Sequence, residues 1–332
     1  MPVRIAINGY GRIGRDLHRQ LLDIKGIEIV AVNSRSDAES HAHLLKYDSL
    51  YGKCNADIKV EGGNLVVNGK TVYVYQVADP AKLEWKKHKI DIVIESTGKF
   101  TAMEDVEKHL IAGAKKVLVT APCKDKEIPN IVMGVNDKDY NSKDYKVISN
   151  ASCTTNCLAP MLYVLNEEFG VEMSFVTTLH AFTYTQNLLD NSNPDDFRRA
   201  RATTESIIPT TTGAMKAISR VIPSLEGKVD GMAFRVPVPT VSCIDMVCRL
   251  KKKVSAEEVN KAYTKWSKKM PNYIGVSDEP LVSVDYRGDS RSAIIDMLST
   301  SVLSGDYVKV VGWYDNEWGY VSRVVDLIKW FK

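Results

Sequence analysis

The chain has 332 residues, 44% of them apolar and 26% charged, with a formal net charge of +3 at neutral pH. That length is more than one core comfortably serves and points to two domains in a globular protein. The near-balanced charge argues against nucleic acid as a dedicated partner, and no apolar run approaches the ~20 residues of a membrane span.

Val3–Asn8 reads as a short apolar strand, so no leader segment is expected and the protein is placed in the cytoplasm. A glycine turn follows, then a helix with Leu17, Leu21 and Leu22 at helical spacing. Residues 27–32, 90–95, 116–120 and 131–135, with Val147–Ser149, read as further strands. Near-continuous apolar strands alternating with helices indicate a parallel sheet covered on both faces. Residues 65–76, with turns at Gly62-Gly63 and Asn68-Gly69, read as an inserted hairpin.

After about residue 150 the pattern changes. Residues 153–168 read as a long helix, and long alternating strands follow at 173–180, 231–237, 241–250 and Tyr307–Tyr314. That is the signature of an α+β domain with a mixed or antiparallel sheet. Residues 318–332 close the chain as a helix with Val321, Val324, Val325 and Ile328 on one face. The short basic runs, such as Lys86-Lys87-His88-Lys89, read as solvated faces.

Gly9-Tyr10-Gly11-Arg12-Ile13-Gly14 lies between the first strand and its helix. Such glycines allow a tight turn, close backbone approach to a pyrophosphate and close helix–strand packing. The helix start adds unpaired N–H groups and a partial positive charge. Taken with its position, the motif indicates a dinucleotide site. An acid about 20 residues on normally takes the ribose 2′-hydroxyl of NAD. Here the second strand runs into Asn33-Ser34-Arg35, a hydroxyl beside a guanidinium, which suits a 2′-phosphate and favours NADP over NAD. The plainer alternative leaves Arg35 as a solvated loop residue.

Six cysteines (54, 123, 153, 157, 243 and 248) are scattered rather than framed for disulfides. Cys153 is different, because Ser149-Asn150-Ala151-Ser152-Cys153 brings it to a helix start that Ser152 can cap. The positive helix end is expected to lower that thiol's pKa. A downstream strand ends at His180, the other half of an activated nucleophile. Cys157 reads as a small buried residue. A zinc site from Cys153, Cys157 and His180 has poor ligand spacing, so no metal is expected. The five remaining histidines (18, 41, 43, 88 and 109) read as surface or packing residues.

Residues 182–201 form a long irregular stretch ending in Arg198-Arg199-Ala200-Arg201. Thr210-Thr211-Thr212-Gly213 then opens a helix, and Arg235 ends a strand. Hydroxyls, a glycine and a helix start make an anion cradle, so a phosphorylated substrate and a second phosphate are expected.

Ala151-Ser152-Cys153-Thr154-Thr155-Asn156-Cys157-Leu158, with Glu95-Ser96-Thr97-Gly98, Arg199-Ala200-Arg201 and Trp313-Tyr314-Asp315-Asn316-Glu317, makes the chain resemble phosphorylating glyceraldehyde-3-phosphate dehydrogenases over essentially its whole length. The resemblance implies a homotetramer acting on glyceraldehyde 3-phosphate and inorganic phosphate. It implies a Rossmann domain at 1–151 with the returning helix 318–332, and a catalytic domain at 152–317. It makes Cys153 the nucleophile and His180 its base. Thr183 and Arg235 would bind the substrate phosphate, and Ser152, Thr154, Arg199, Thr212 and Gly213 the inorganic phosphate. Gly9, Gly11, Arg12, Ile13 and Gly14 would hold the pyrophosphate, while Asn33, Thr97, Gly98, Phe100, Thr120, Asn316 and Tyr320 would lie along the cofactor, Asn316 on the nicotinamide carboxamide.

Three departures concern the cofactor. NAD-using members usually carry Asp at the position of Ser34 and Leu-Pro at that of Asn191-Ser192, and Ser192 resembles the NADP-using photosynthetic members. Ala78 also stands in place of a common Arg. The rival activities are erythrose-4-phosphate dehydrogenase on the same scaffold, which ends in hydrolysis, and a non-catalytic dinucleotide- or RNA-binding protein.

Overall fold

The computed structural model describes residues 1–123 and 125–332 and divides into two units. The first comprises Met1–Ile131, Lys138–Ala151 and Val321–Lys332; the second comprises Val132–Asp137 and Ser152–Tyr320.

The first unit runs β1 (Val3–Asn8), α1 (Arg12–Leu21), β2 (Ile27–Asn33), α2 (Ala38–Lys46), a two-stranded ribbon of β3 (Tyr47–Asp48) and β4 (Gly52–Lys53), then β5 (Ile58–Glu61), β6 (Asn64–Val67) and β7 (Lys70–Tyr75). β8 (Ile92–Glu95), α3 (Met103–Ile111), β9 (Lys116–Val119) and β10 (Val147–Ser149) complete it, apart from the final helix. Its sheet has the order β10-β9-β8-β1-β2-β7-β6-β5. The six strands from β10 to β7 are parallel. Ile5, Ala6 and Ile7 are consecutive and fully buried, which requires cover on both faces of the sheet. Counting only the parallel strands, the order is third-second-first-fourth-fifth-sixth. That is the Rossmann order, whose ligand crevice opens where β1 and β8 diverge at their C-terminal ends.

Two sequence expectations change here. The insertion is a three-stranded meander rather than a hairpin, because each glycine turn closes its own strand pair: β5 with β6 and β6 with β7. Asn68 and Gly69 both take positive φ (49° and 76°), as a two-residue reverse turn requires. Residues 131–135 are not a strand. The N–H groups of Val135 and Asn136 both donate to the Val132 carbonyl, and Asn136 Oδ1 accepts from Val132 N at 2.8 Å. Their apolar character reflects burial, since Val132 packs in the second unit's core.

The second unit runs α4 (Cys153–Phe169), β11 (Val171–Ala181), β12 (Ile208–Thr210), α5 (Ala214–Val221), β13 (Val229–Val236), β14 (Ser242–Leu250), α6 (Ala256–Lys269), β15 (Ile274–Ser277), β16 (Ala293–Leu303) and β17 (Tyr307–Tyr314). α7 (Trp318–Phe331) follows, and from Val321 onward it belongs to the first unit. The sheet order is β12-β13-β11-β14-β17-β16-β15, with β11–β13 and β15–β16 parallel and the other pairs antiparallel. The mixed sheet expected from the alternating pattern is therefore present. One face packs on α4, which buries Cys157, Leu158, Met161, Leu162 and Leu165 against Val176, Ile244, Met246 and Val310. On the strands, Met173, Phe175, Met232, Val247 and Tyr307 stay exposed.

Candidate active site

Ala151 takes a left-handed conformation (φ 51°) and donates its N–H to Ser149 Oγ at 2.9 Å, turning the chain sharply before α4. Ser152 is the extended N-cap, its Oγ accepting from Thr155 N at 3.0 Å. Cys153 is thereby the first helical residue, where backbone N–H groups lack helical acceptors. α4 is held by its buried face, so the position of the thiol is set by packing.

β11 alternates, placing Val176, Thr178 and His180 on the buried side. His180 Nε2 lies 3.4 Å from Cys153 Sγ. Its Nδ1 lies 2.7 Å from the Ala181 carbonyl, an acceptor that favours a proton on Nδ1, and 2.8 Å from Arg235 Nη1, a donor that favours it on Nε2; the first tautomer is the one that leaves Nε2 bare toward the sulfur. Parallel register pairs His180 with Arg235. The Arg235 guanidinium donates to the same carbonyl from Nη1 at 3.0 Å and passes 2.8 Å from Nδ1. Arg235 Nε is buried with no partner among the described residues.

The electrostatics correct one expectation. Burial pushes the Cys153 thiol above its ordinary value and outweighs Arg235 and the N–H groups of Thr154 and Cys153, which pull it down. The helix start is thus present but not dominant. Burial first, then Arg235, push the His180 ring down to about 3, with the Ala181 carbonyl opposing. These influences act on each group taken alone. Moving one proton from Sγ to Nε2 creates opposite charges in contact, worth about 4 kcal/mol at an intermediate effective dielectric. That attraction offsets part of the burial of the two groups and couples their titrations, Nε2 being the place to which a proton leaving Sγ would go.

Tyr314 ties the pair in place. Its hydroxyl lies 3.1 Å from Thr154 Oγ1 and 3.0 Å from Thr178 Oγ1, linking the residue after the thiol to the residue two before the imidazole. Ser242 makes a second tie. It accepts from Ala181 N at 3.0 Å and donates to Asn316 Oδ1 at 2.9 Å, which leaves the Asn316 amide nitrogen as the outward donor.

The residues expected to bind anions fall into two groups. Arg235 and the stretch entering Thr183 flank the end of β11, where Thr183 N donates to Gln186 Oε1 at 2.8 Å. Thr212 and Gly213 line a cavity of about 680 Å³ with Thr210, Thr211, Arg198 and Lys216. Arg199 donates to Thr210 Oγ1 at 2.9 Å and pairs with Asp196 at 3.1 Å.

In the first unit the glycine turn has the shape that a dinucleotide needs. At Gly9 (φ 95°) an added Cβ would sit 2.6 Å from Thr97 N, and at Gly14 it would sit 2.5 Å from Gly9 O. At Gly11, the N-cap of α1, it would meet nothing within 4 Å among the described residues, so the helix start is open to a pyrophosphate. Arg12 pairs with Asp48 at 2.6 Å, and Ile13 is half-buried beside it. Ser34 is half-buried, its N–H held by Tyr75 O at 3.0 Å, and Arg35 is exposed. Thr97 and Thr120 are half-buried at the ends of β8 and β9, and Gly98 is exposed. Phe100 packs on the α3 core. Asn33 differs: its side chain is buried and fully used on Asn8 and Val77. Ser192 is exposed in the irregular stretch, and Tyr320 is buried in α7.

Two family models match, the glyceraldehyde 3-phosphate dehydrogenase NAD binding domain over residues 3–103 and the C-terminal domain over residues 152–316. Together they span most of the sequence. The chain belongs to the phosphorylating glyceraldehyde-3-phosphate dehydrogenase family. It is 53% identical over 328 residues to glyceraldehyde-3-phosphate dehydrogenase 1 of Bacillus subtilis and 54% over 328 residues to the Geobacillus stearothermophilus protein, with 98% of this chain and 97% of each relative covered. It is also 50% identical over 329 residues to the chloroplastic glyceraldehyde-3-phosphate dehydrogenase A of Chlamydomonas reinhardtii, covering 98% of this chain and 87% of the relative.

Family membership makes the chain an oxidoreductase with a nicotinamide-dinucleotide domain. Among residues that the sequence alone did not single out, Tyr314 and Thr178 were within its reach. Thr178 shares a strand face with His180, and Tyr314 lies inside a quoted motif. Ser242 carried no signal, because its role comes from the pairing of β14 with β11 and β17.

Proposed function

We propose that this chain catalyses the reversible oxidative phosphorylation of D-glyceraldehyde 3-phosphate to 1,3-bisphosphoglycerate through a thioester on Cys153, with NADP preferred over NAD. The observation that carries the reading is the 3.4 Å approach of His180 Nε2 to Cys153 Sγ beside Arg235.

Arg235 and Thr183 hold the phosphate of the substrate. The Cys153 sulfur adds to the aldehyde carbon, forming a C–S bond, and the carbonyl oxygen takes a proton to give a thiohemiacetal. The open N–H groups at the start of α4 stabilise that oxygen. His180 then removes the hydroxyl proton while the carbon loses a hydride, which leaves a thioester. The dinucleotide supplies the hydride acceptor at its nicotinamide ring, and Asn316 offers its amide nitrogen to the carboxamide. Inorganic phosphate, held by Ser152, Thr154, Arg199, Thr212 and Gly213, attacks the thioester carbon. The C–S bond breaks, the acyl phosphate leaves, and Cys153 returns as thiolate. The cavity with Arg198 and Lys216 beside Thr212 and Gly213 supports phosphate rather than water as the final nucleophile.

The first unit is proposed as the cofactor domain and the second as the catalytic domain. NADP preference is supported by Ser34, which brings no carboxylate to the end of β2, with the exposed Arg35 next to it. The exposed apolar strand residues support a homotetramer. We place the protein in the cytoplasm; among the described residues no helix is long and apolar enough to cross a membrane.

Steady-state rates with each dinucleotide, with and without inorganic phosphate, test the reading. Turnover should require phosphate, and kcat/KM should favour NADP. Ser34→Asp should shift the preference toward NAD by about tenfold or more, the effect of ~1.4 kcal/mol of like-charge repulsion. Phosphate-independent turnover would reassign the last step to hydrolysis, and an unmoved ratio would show that Ser34 does not face the 2′ position.

A further inference from the structure

Glu95, at the C-terminal end of β8, is a carboxylate only 1% exposed, and it takes no part in the chemistry above. Its Oε2 accepts from Asn8 Nδ2 at 2.5 Å and lies 3.0 Å from His109 Nε2. Its Oε1 accepts from Thr97 N at 2.8 Å and from the Thr97 hydroxyl.

The directions of these bonds are fixed from both ends of the chain of contacts. Trp85 Nε1 can only donate, and it donates to His109 Nδ1 at 3.1 Å. His109 is 0% exposed and therefore carries its proton on Nε2, which donates to Glu95. At the other end, Val77 N donates to Asn33 Oδ1 at 2.9 Å, so Asn33 Nδ2 must donate to Asn8 Oδ1, at 2.7 Å. Asn8 Nδ2 is then left to donate to Glu95. Asn33, Asn8 and Glu95 are register partners across β2, β1 and β8. The row thus spans three strand ends around the crevice where a Rossmann sheet takes its ligand.

We propose that Glu95 is a positioning residue for the dinucleotide: it clamps the Thr97 turn against Gly9 and so sets the shape of the cradle without touching the cofactor. Thr97 is the link, because its N–H and hydroxyl are both committed to Glu95 while its nitrogen is what bars a side chain at Gly9. Ser96 Oγ closes the same contact from the other side, donating to Gly9 O at 2.6 Å. Every oxygen of Glu95 faces donors, so a glutamine there must turn its NH₂ toward hydrogens.

The inference rests on the proposed cofactor site, and the test separates the two. NAD and NADP are titrated calorimetrically into the purified protein, with iodoacetamide alkylation of Cys153 as the control for an intact second unit. Glu95→Gln should raise the Kd of both dinucleotides by at least about tenfold, the loss of one hydrogen bond to a charged group. Cys153 alkylation should stay within about twofold, and kcat at saturating dinucleotide within about threefold. His109→Gln, which can still donate to Glu95, should bind nearly as the wild type does, whereas His109→Leu should weaken binding. Should Glu95→Gln fail to fold, the two His109 variants decide the matter. Wild-type affinity in Glu95→Gln or His109→Leu, or a loss of kcat with unchanged Kd, overturns the inference. A wild-type protein that binds neither dinucleotide overturns the cofactor reading instead.

Discussion

Cys153 and His180 show how much of a reactive pair can be read from local pattern and how much cannot. Helix start, capping serine and strand-end imidazole were all legible, because each is set by neighbouring residues. The balance of burial against charge was not, since the desolvation of both groups and the place of Arg235 depend on the β11–β13 pairing. The paired account makes a prediction that neither group makes alone. In His180→Asn, burial still pushes the thiol up and no imidazole remains to take its proton. Iodoacetamide alkylation of Cys153 near pH 7 should then slow by about tenfold or more, because less of the thiol is ionised at that pH. An unchanged rate would show that the sulfur is activated by Arg235 and the helix start alone.

At the scale of elements, the parallel strands and the helix of the glycine turn were legible from apolar runs and punctuation. Where expectation and structure part, the cause is tertiary: residues 131–135 are apolar because they are buried, not because they pair. α6 was passed over although Ser255 and Glu258 form a capping box at its start, a signal readable from spacing alone. The helix after the glycine turn carries a titration of its own. His18 of α1 lies buried, its Nδ1 2.5 Å from the Tyr10 hydroxyl, and burial pushes its ring down to about 4. Unfolded, the ring takes up a proton near pH 6.5; folded, it does not until about pH 4. The unfolded chain therefore binds more protons in that window, and stability is lost by about 1.4 kcal/mol for each unit that the pH is lowered. Between about pH 7 and 4.5 the wild type should lose roughly 3 kcal/mol more than His18→Gln in urea denaturation. Equal losses would mean that His18 opens to water before it titrates.

For the molecule as a whole, the division into two units follows from two kinds of hydrophobic pattern, consecutive in the parallel sheet and alternating in the mixed one. What no single-chain pattern reveals is the partner of the exposed strand residues. Phe175 is 66% exposed and lies in register with Val247 on the neighbouring strand. A ring of that size left in water costs ~1.5–3 kcal/mol relative to burial, which supports a second copy over this surface. The wild type should sediment as a tetramer, and Phe175→Asp should lower the sedimenting mass at micromolar concentration. A wild-type monomer would end the tetramer proposal.

The most direct test of the chemistry is intact-mass and peptide-mass measurement on protein given glyceraldehyde 3-phosphate and oxidised dinucleotide without inorganic phosphate. The account predicts one phosphoglyceroyl group on the peptide carrying Cys153, absent in Cys153→Ser and released as acyl phosphate once phosphate is added. Turnover with no adduct on that sulfur, or full activity in Cys153→Ser, would contradict it.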